Sequence, residues 1–350
     1  MAARRKPVPE VRVGFVLSGP IGDGGWVLSH ELGRRALEEL SFVKGTAYVE
    51  NVPEKPELVM AAIDELVEGG ANLVFTTSFG FMQPTLDAAA KYPNVVFMHS
   101  AGFKTAPNMG TYFGRIYEAR YLAGIVAGGM SESKIIGYVA AFPIAQVLRG
   151  INAFTLGAQS VSPDVQVRVL WTNTWYSPGI EKETTDRLFD FGADVVTMHQ
   201  NSPAVLQAAE ARGRKAIGYH GDMAPFAPAA TMTSVVWDWA PMYRKIATDL
   251  HEGGWEPYQL WWGAKEGVVK LAPLSPDLPL ALKERVLAAE RDLKSGRLDV
   301  FAGTLRDDRG RVRLPSGQVL YDADLLSMDF FVLGVRGELP VPKAPTGPTN

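Results

Sequence analysis

The sequence predicts two similar doubly wound α/β domains, and three observations carry that expectation. Short segments rich in Val, Ile and Phe alternate with helical stretches from Val11 to Val236, the pattern of a parallel sheet covered on both faces. The second half repeats the order of the first. The stretch "GANLVFTTSFGFMQPTLDAAAKYPNVVFMHSAG", from Gly70, also lies over "GADVVTMHQNSPAVLQAAEARGRKAIGYHGD", from Gly192. Both read Gly-Ala, polar residue, apolar strand, polar loop, proline, helix with Ala-Ala, second apolar strand, which is a duplicated unit and not a short-period solenoid.

In chain order, strands are expected near Val11 to Ser18, Ala47 to Val52, Leu73 to Ser78, Val95 to Ser100 and Gly110 to Gly114, with helices in the gaps. The second set falls near Ile135 to Ala141, Val165 to Trp171, Val195 to His199, Ala216 to His220 and Thr231 to Val236. The first domain runs to about Met130 and the second starts near Ser133. Past Trp239, "DWAPMYRKIATDLHEGGW" has helical spacing and stops at Gly253-Gly254. "QLWWGAKEGVVKLAP" reads as a crossing segment, Leu280 to Ser295 as a long helix, and "RDDRGRVRLPSG" as a polar turn. These late pieces are expected to complete and tie together the two domains, leaving "PVPKAPTGPTN" as a frayed end.

Composition narrows the function. A chain of 350 residues, 47% hydrophobic, can bury the cores of two domains. A net charge of -3 with scattered Lys and Arg argues against nucleic acid or an anionic membrane as partner. No apolar run reaches the roughly 20 residues of a membrane span, and "MAARRKPVPE" has no apolar segment after its basic residues. The absence of cysteine removes disulfides, thiolate nucleophiles and Cys-ligated zinc. His30, His99, His199, His220 and His251 lack metal-site spacing, and each reads as a polar loop or helix-surface residue. No metal and no cofactor is expected. Nor is there a Gly-x-Ser-x-Gly elbow, a P-loop or a paired-carboxylate motif. Glycines at 19, 22, 24 and 25 follow a strand, but Ile21 and Trp26 occupy places a dinucleotide fingerprint needs small, so an enzyme is not expected.

In open α/β sheets ligands bind beyond the carboxyl ends of the strands. Residues there are aromatic and amide-rich, with Trp26, Phe79, Trp175 and Trp262 among the rings and Asp23, Gln200, Asn201 and Asp222 among the polar groups. Rings supply stacking faces and amides or carboxylates read an edge, which suits a flat ligand with donors and acceptors on its rim. Each candidate also has a structural alternative. Trp26 could staple the first helix to its sheet, Asp23 could cap that helix, and Asp222 could form a turn. Gln200 and Asn201 could satisfy loop backbone, Trp261 and Trp262 could be core, and of Phe79 and Phe81 one at most should face a ligand.

"SGPIGDGGWVLSHELGRRALEEL", "VFTTSFGFMQPT", "GRIYEARYLAGIVAGGMSES", "INAFTLGAQSVSPDVQVRVLWTNTWYSPG", "WWGAKEGVVKLAP" and "DVFAGTLRDDRGRVRLPSGQVL" together resemble the basic membrane protein family of ABC-importer substrate-binding lipoproteins. The resemblance implies a type I periplasmic-binding-protein fold of two Rossmann-like domains with a ligand cleft between them. On that reading the lobes are 9–131 plus about 239–262, and 132–238 plus about 263–335, with 336–350 a tail. It further implies a purine or nucleoside receptor, an ABC permease as partner, and an extracytoplasmic location with a lipid-bearing leader that this sequence does not display. The family's nucleoside branch carries Asp-x-Ser-Phe-Asn and a lysine after Ser-Val-Val, where this chain has Asp23-Gly24-Gly25-Trp26 and Trp237. That difference moves the expectation toward a free base such as adenine or guanine, with a nucleoside receptor or a sugar receptor of the same fold as the alternatives.

Overall fold

The computed structural model describes residues 6–339, and the chain divides into two compact units. One runs up to Ala119 and includes Val235–Ala272; the other is Arg120–Ser234 with the chain from Pro273 onward. The opening pieces are β1 (Val11–Val16), α1 (Trp26–Leu37), β2 (Val43–Val49), α2 (Pro56–Glu68), β3 (Leu73–Thr76), α3 (Met82–Lys91), β4 (Val96–Ser100), β5 (Met109–Gly114) and α4 (Ile116–Met130). The second round is β6 (Ile135–Ala140), α5 (Ala145–Gln159), β7 (Gln166–Trp171), α6 (Pro178–Asp190), β8 (Val195–His199), α7 (Ala204–Ala211), β9 (Lys215–His220) and β10 (Thr231–Trp237). Then follow α8 (Ala240–Glu252), β11 (Gln259–Trp262), β12 (Val269–Leu271), α9 (Leu280–Ser295), β13 (Leu305–Arg306), β14 (Val312–Leu314), α10 (Asp322–Leu326) and β15 (Val335–Arg336).

The first sheet has the order β11-β5-β4-β3-β1-β2 and the second β12-β10-β9-β8-β6-β7-β15. Without the added edges these are β5-β4-β3-β1-β2 and β10-β9-β8-β6-β7, one topology used twice, with parallel pairing of β6 to β7 and β8 as of β1 to β2 and β3. The division between units falls inside α4 and inside β10, so the chain passes from one unit to the other within continuous elements. The late segments act as edges: β11 pairs with β5, β12 with β10 and β15 with β7, while β13 and β14 form a hairpin around Gly310, whose φ of +80° favours glycine. Residues 340–350, most of the predicted tail, lie outside the described residues.

Most strands fall within a residue or two of their expected places. The exception is β2, which occupies Val43–Val49 instead of starting at Ala47. It is an edge strand with mostly exposed side chains, so its place is set by hydrogen bonding to β1 from Val43 to Val49, while the apolar Val52 goes into the core beside Val59 and Ile63. Histidine is the larger correction. His30, His99, His199 and His220 are buried, not the polar loop or helix-surface residues expected; His251 is on the helix surface as expected, half-buried in the last turn of α8 and stacked on Phe42 with centroids 4.1 Å apart. Imidazole is a flat ring, and in this chain it packs as one.

In the second unit α4 and α5 cross at backbone contact. A Cβ on Gly124 would lie 2.0 Å from the Phe154 carbonyl oxygen, one on Gly128 2.4 Å from that of Ala158, and one on Gly157 2.0 Å from that of Tyr121. The glycines let each helix lie against the other's carbonyls. Gly124→Ala is expected to destabilise by about 3 kcal/mol, the upper end of overpacking penalties, because the obstacle is backbone. Urea unfolding would read it; a loss under about 1 kcal/mol would mean the helices part freely.

Candidate ligand-binding site

Both sheets follow the strand order 2-1-3-4-5, in which connections leave to opposite faces on either side of the first and third strands and a crevice opens at their carboxyl ends. In the first unit the two loops there are the glycine-rich turn after β1 and the segment after β3. Trp26 joins them. Its indole Nε1 donates to the Thr77 carbonyl at 2.8 Å, and the ring stands edge-on to His30, Trp239 and Trp237, with centroids 4.3, 5.7 and 5.8 Å away. The indole stays partly exposed.

Behind Trp26 the ring cluster is deep. Trp237 and Trp239 stack at 4.7 Å and 13°, and Trp239 stacks on His30 at 4.8 Å and 8°. The Trp239 Nε1 donates to the Ser29 hydroxyl at 3.0 Å, and His30 Nδ1 hydrogen-bonds the Tyr243 hydroxyl. Burial holds the His30 imidazole well below its usual pKa, so it is a neutral ring at pH 7. Asp23 is the helix cap: its carboxylate accepts from the backbone N–H groups of Gly25 at 2.8 Å, Val27 at 2.9 Å and Leu28 at 3.0 Å. Burial pushes the Asp23 carboxyl above its ordinary range, and these three donors pull it back. Asp23 therefore fixes the turn from which Trp26 projects.

In the second unit the corresponding loops follow β6 and β8, with the β7 loop beside them. Trp175 is partly buried, edge-on to Phe142 at 5.0 Å, and its carbonyl accepts from Asn201 N–H at 2.9 Å. Gln200 is fully buried. Its amide meets the Thr172 hydroxyl at 2.6 Å, and in the orientation that satisfies both ends the nitrogen donates to the carbonyls of Thr174 and Trp175. It braces the loop that carries Trp175. The Asn201 side chain is partly exposed and makes no hydrogen bond among the described residues.

The other predicted residues sort by position. Phe79 is exposed while Phe81 lies in the core. Asp222 is exposed and forms a turn, one oxygen accepting from Ala224 N–H at 3.0 Å. Trp262 ends β11, level with Gly114 of β5, with its carbonyl accepting from Arg115 N–H at 2.7 Å; Arg115 lies over the neighbouring Trp261 at 4.1 Å. Sequence reasoning missed Trp239 as the hub of the ring cluster. It also missed a feature with no sequence signal beyond asparagine: Asn51, Ala101, Asn173 and His220, at the carboxyl ends of β2, β4, β7 and β9, all have φ between 55° and 73°. Non-glycine residues in the left-handed region concentrate where a loop is held for function. Among the described residues no group of side chains is arranged to hold a metal ion, and no helix is long and apolar enough to cross a membrane.

Duplicated five-strand sheets with ring-lined switch-point loops define the type I periplasmic-binding fold. A solute-binding protein of an ABC transporter from Conexibacter woesei matches with a TM-score of 0.68 over 83% of this chain and 98% of its own, at 21% identity. The chain belongs to the Bmp family, described as ABC transporter substrate-binding protein PnrA-like, whose sequence profile matches residues 10–300. A purine-binding protein of Brucella abortus is 42% identical over 332 residues, covering 95% of this chain and 94% of that protein. A putative ABC transporter glucose-binding protein of Haloferax volcanii is 38% identical over 331 residues, covering 94% of this chain and 81% of that one. The family binds solutes for ABC transporters; it is not a class of enzymes, and its members are extracytoplasmic.

Proposed function

We propose that this protein is the extracytoplasmic receptor of an ABC importer for purines, with a free base such as adenine or guanine preferred over its nucleoside, and that it delivers the ligand to a permease. The observation that carries this reading is Trp26, an indole left partly exposed at a switch point while its edge is anchored and its orientation fixed by three other rings. Such a ring is held ready to stack, with little side-chain freedom left to lose on binding. Phe79 and Trp175 supply further faces, Asn201 and the second Asp222 oxygen offer edge contacts, and Asp23, Gln200 and Trp262 position the loops. The preference for a base rests on Trp237. Where the nucleoside branch has a lysine, this chain has an indole that is 3% exposed and stacked on Trp239, with no ammonium to donate to ribose hydroxyls.

Calorimetric titration with adenine, guanine, their nucleosides, ribose and glucose tests the reading. A purine should bind and be recovered unaltered; binding of glucose and no purine would establish the second reading, which the Haloferax relative favours. Trp26→Ala is expected to weaken purine binding by about 1 to 3 kcal/mol, roughly 5- to 150-fold, the usual loss for a base-aromatic stack. Trp26→Phe should restore part of the affinity but not the bond to Thr77. Melting must be followed in parallel: a variant that melts lower yet binds normally would make Trp26 a staple only.

A further inference from the structure

In the second unit a carboxylate that pairs with no cation ties together the two loops that carry Trp175 and Asn201. Glu181, in the first turn of α6, is 0% exposed, and no Lys, Arg or His meets it among the described residues. One oxygen accepts from the Ser177 N–H at 2.9 Å, in the loop after β7, and the other from the hydroxyl of Ser202, in the loop after β8. Burial pushes the carboxyl above its ordinary range, and hydrogen bonds from Ser202 and Ser177 pull it back. A carboxylate that served only to cap α6 could do so at the surface, without the cost of leaving water unpaired with a cation.

The place of the tie gives it a use. Gln200 reaches from the β8 loop to the carbonyls of Thr174 and Trp175, and the Asn201 N–H donates to the Trp175 carbonyl at 2.9 Å. Glu181 closes the far side, at Ser177 and Ser202. Trp175 and Asn201 are therefore held on both sides along the chain, while the indole and the side-chain amide stay partly exposed. The first unit contains the same device. Glu54, two residues before α2, accepts from the Ser78 hydroxyl and from the Gly80 N–H at 2.9 Å, the two residues that flank the exposed Phe79. β2 and β3 correspond to β7 and β8 in the shared strand order, yet one carboxylate precedes its helix and the other lies inside it. The same pair of loops is joined from two non-equivalent positions, which a cap inherited with the duplication would not produce.

We infer that Glu181 is a positioning residue for ligand binding: by joining the β7 and β8 loops it fixes Trp175 and Asn201 in advance, so less freedom is lost when a solute meets them. The inference rests on the reading of Trp175 and Asn201 as ligand contacts. The test is calorimetric titration of the full chain and its variants with adenine, and with glucose as second probe. Glu181→Gln and Ser202→Ala should each weaken binding roughly tenfold, the order of a rotamer-rich group or two ordered only on binding. The double variant should lose about as much as the worse single one, since both act through one tie. Thr185→Val is the control. It removes a buried hydroxyl one turn along α6, bonded to the Glu181 carbonyl at 2.7 Å, and should melt lower yet bind as the wild type does. Without ligand, amide exchange at Ser177 and Asn201 should quicken in Glu181→Gln and not in Thr185→Val. Wild-type affinity or wild-type exchange in Glu181→Gln would overturn the inference, as would an equal loss of affinity in Thr185→Val. If the wild type binds glucose and not adenine, the purine reading fails and the same variants are compared with glucose. Binding of neither probe would end both.

Discussion

Between pH 7 and pH 5 the protein is expected to lose stability to the titration of three buried histidines, His99 alone accounting for about 2 kcal/mol. Burial alone holds His30 well below the ordinary value; His99 is held down to about 4, and His199 is lowered by burial and the charges of Arg120 and Arg149. Unfolded, each titrates near 6.5. In the window between 6.5 and 4 the unfolded chain therefore binds protons that the native state refuses, and stability falls as pH falls. A histidine held neutral in the native state contributes about 1.4 kcal/mol per pH unit once its unfolded form is mostly charged, and His99 does so between pH 6 and 5, with His30 and His199 acting in the same direction. Against a total of about 5 to 15 kcal/mol for a typical domain, even one such share is a sizeable fraction. The raised carboxyls of Asp23 and Glu181 work in the opposite sense, since the native state takes up their protons first. Urea midpoints at pH 7, 6, 5.5 and 5 measure the slope, and His99→Gln should lower it by about one proton between pH 6 and 5. A slope below one proton between pH 6 and 5 would mean the imidazoles reach water in the native state.

Trp239→Ala should cost about 3 to 5 kcal/mol at pH 7.5, the range for truncating a fully buried tryptophan. Trp239 is 0% exposed, and its neighbours are flat rings on both sides, His30 at 4.8 Å and Trp237 at 4.7 Å. Neither can rotate into the space without leaving its own hydrogen bonds or contacts. The Ser29 hydroxyl would also lose the indole N–H, which adds to the cavity term. Trp239→Phe should recover a large part, keeping the stack but not that bond. The alanine variant carries a second signature. Opening the cluster lets water reach His30, so its pKa should climb toward 6.5 and the acid slope should flatten by about one histidine's share. A loss below about 1.5 kcal/mol with an unchanged slope would show the cluster to be loosely packed.

Much of this architecture is legible in the chain. β3, Leu73–Thr76, and β8, Val195–His199, are buried on both faces and so read as mostly apolar runs without polar alternation. Their shared Gly-Ala lead-in exposed the duplication that the sheet orders display. β2 was misplaced because an exposed edge strand carries almost no apolar pattern. Among site residues, the alternatives weighed for Asp23 and Asp222 were chemically real: a carboxylate after a glycine turn caps a helix with the same oxygens it would offer a ligand.

The sequence by itself determined the family, the two-fold repeat, and the rings and amides that follow each strand, because apolar periodicity and turn residues are local properties of the chain. Only the tertiary structure decided what each of those residues does. Trp26 meets Thr77 across 51 positions and Trp239 across 213, and His30 becomes a neutral stacking ring only because Tyr243, equally distant in sequence, closes over it. Arg120 is buried over the Tyr219 ring, 99 positions away, a setting no local pattern gives. Burial and partnership are set by residues far apart in the chain, and they fix the charge state of a histidine and the orientation of an indole.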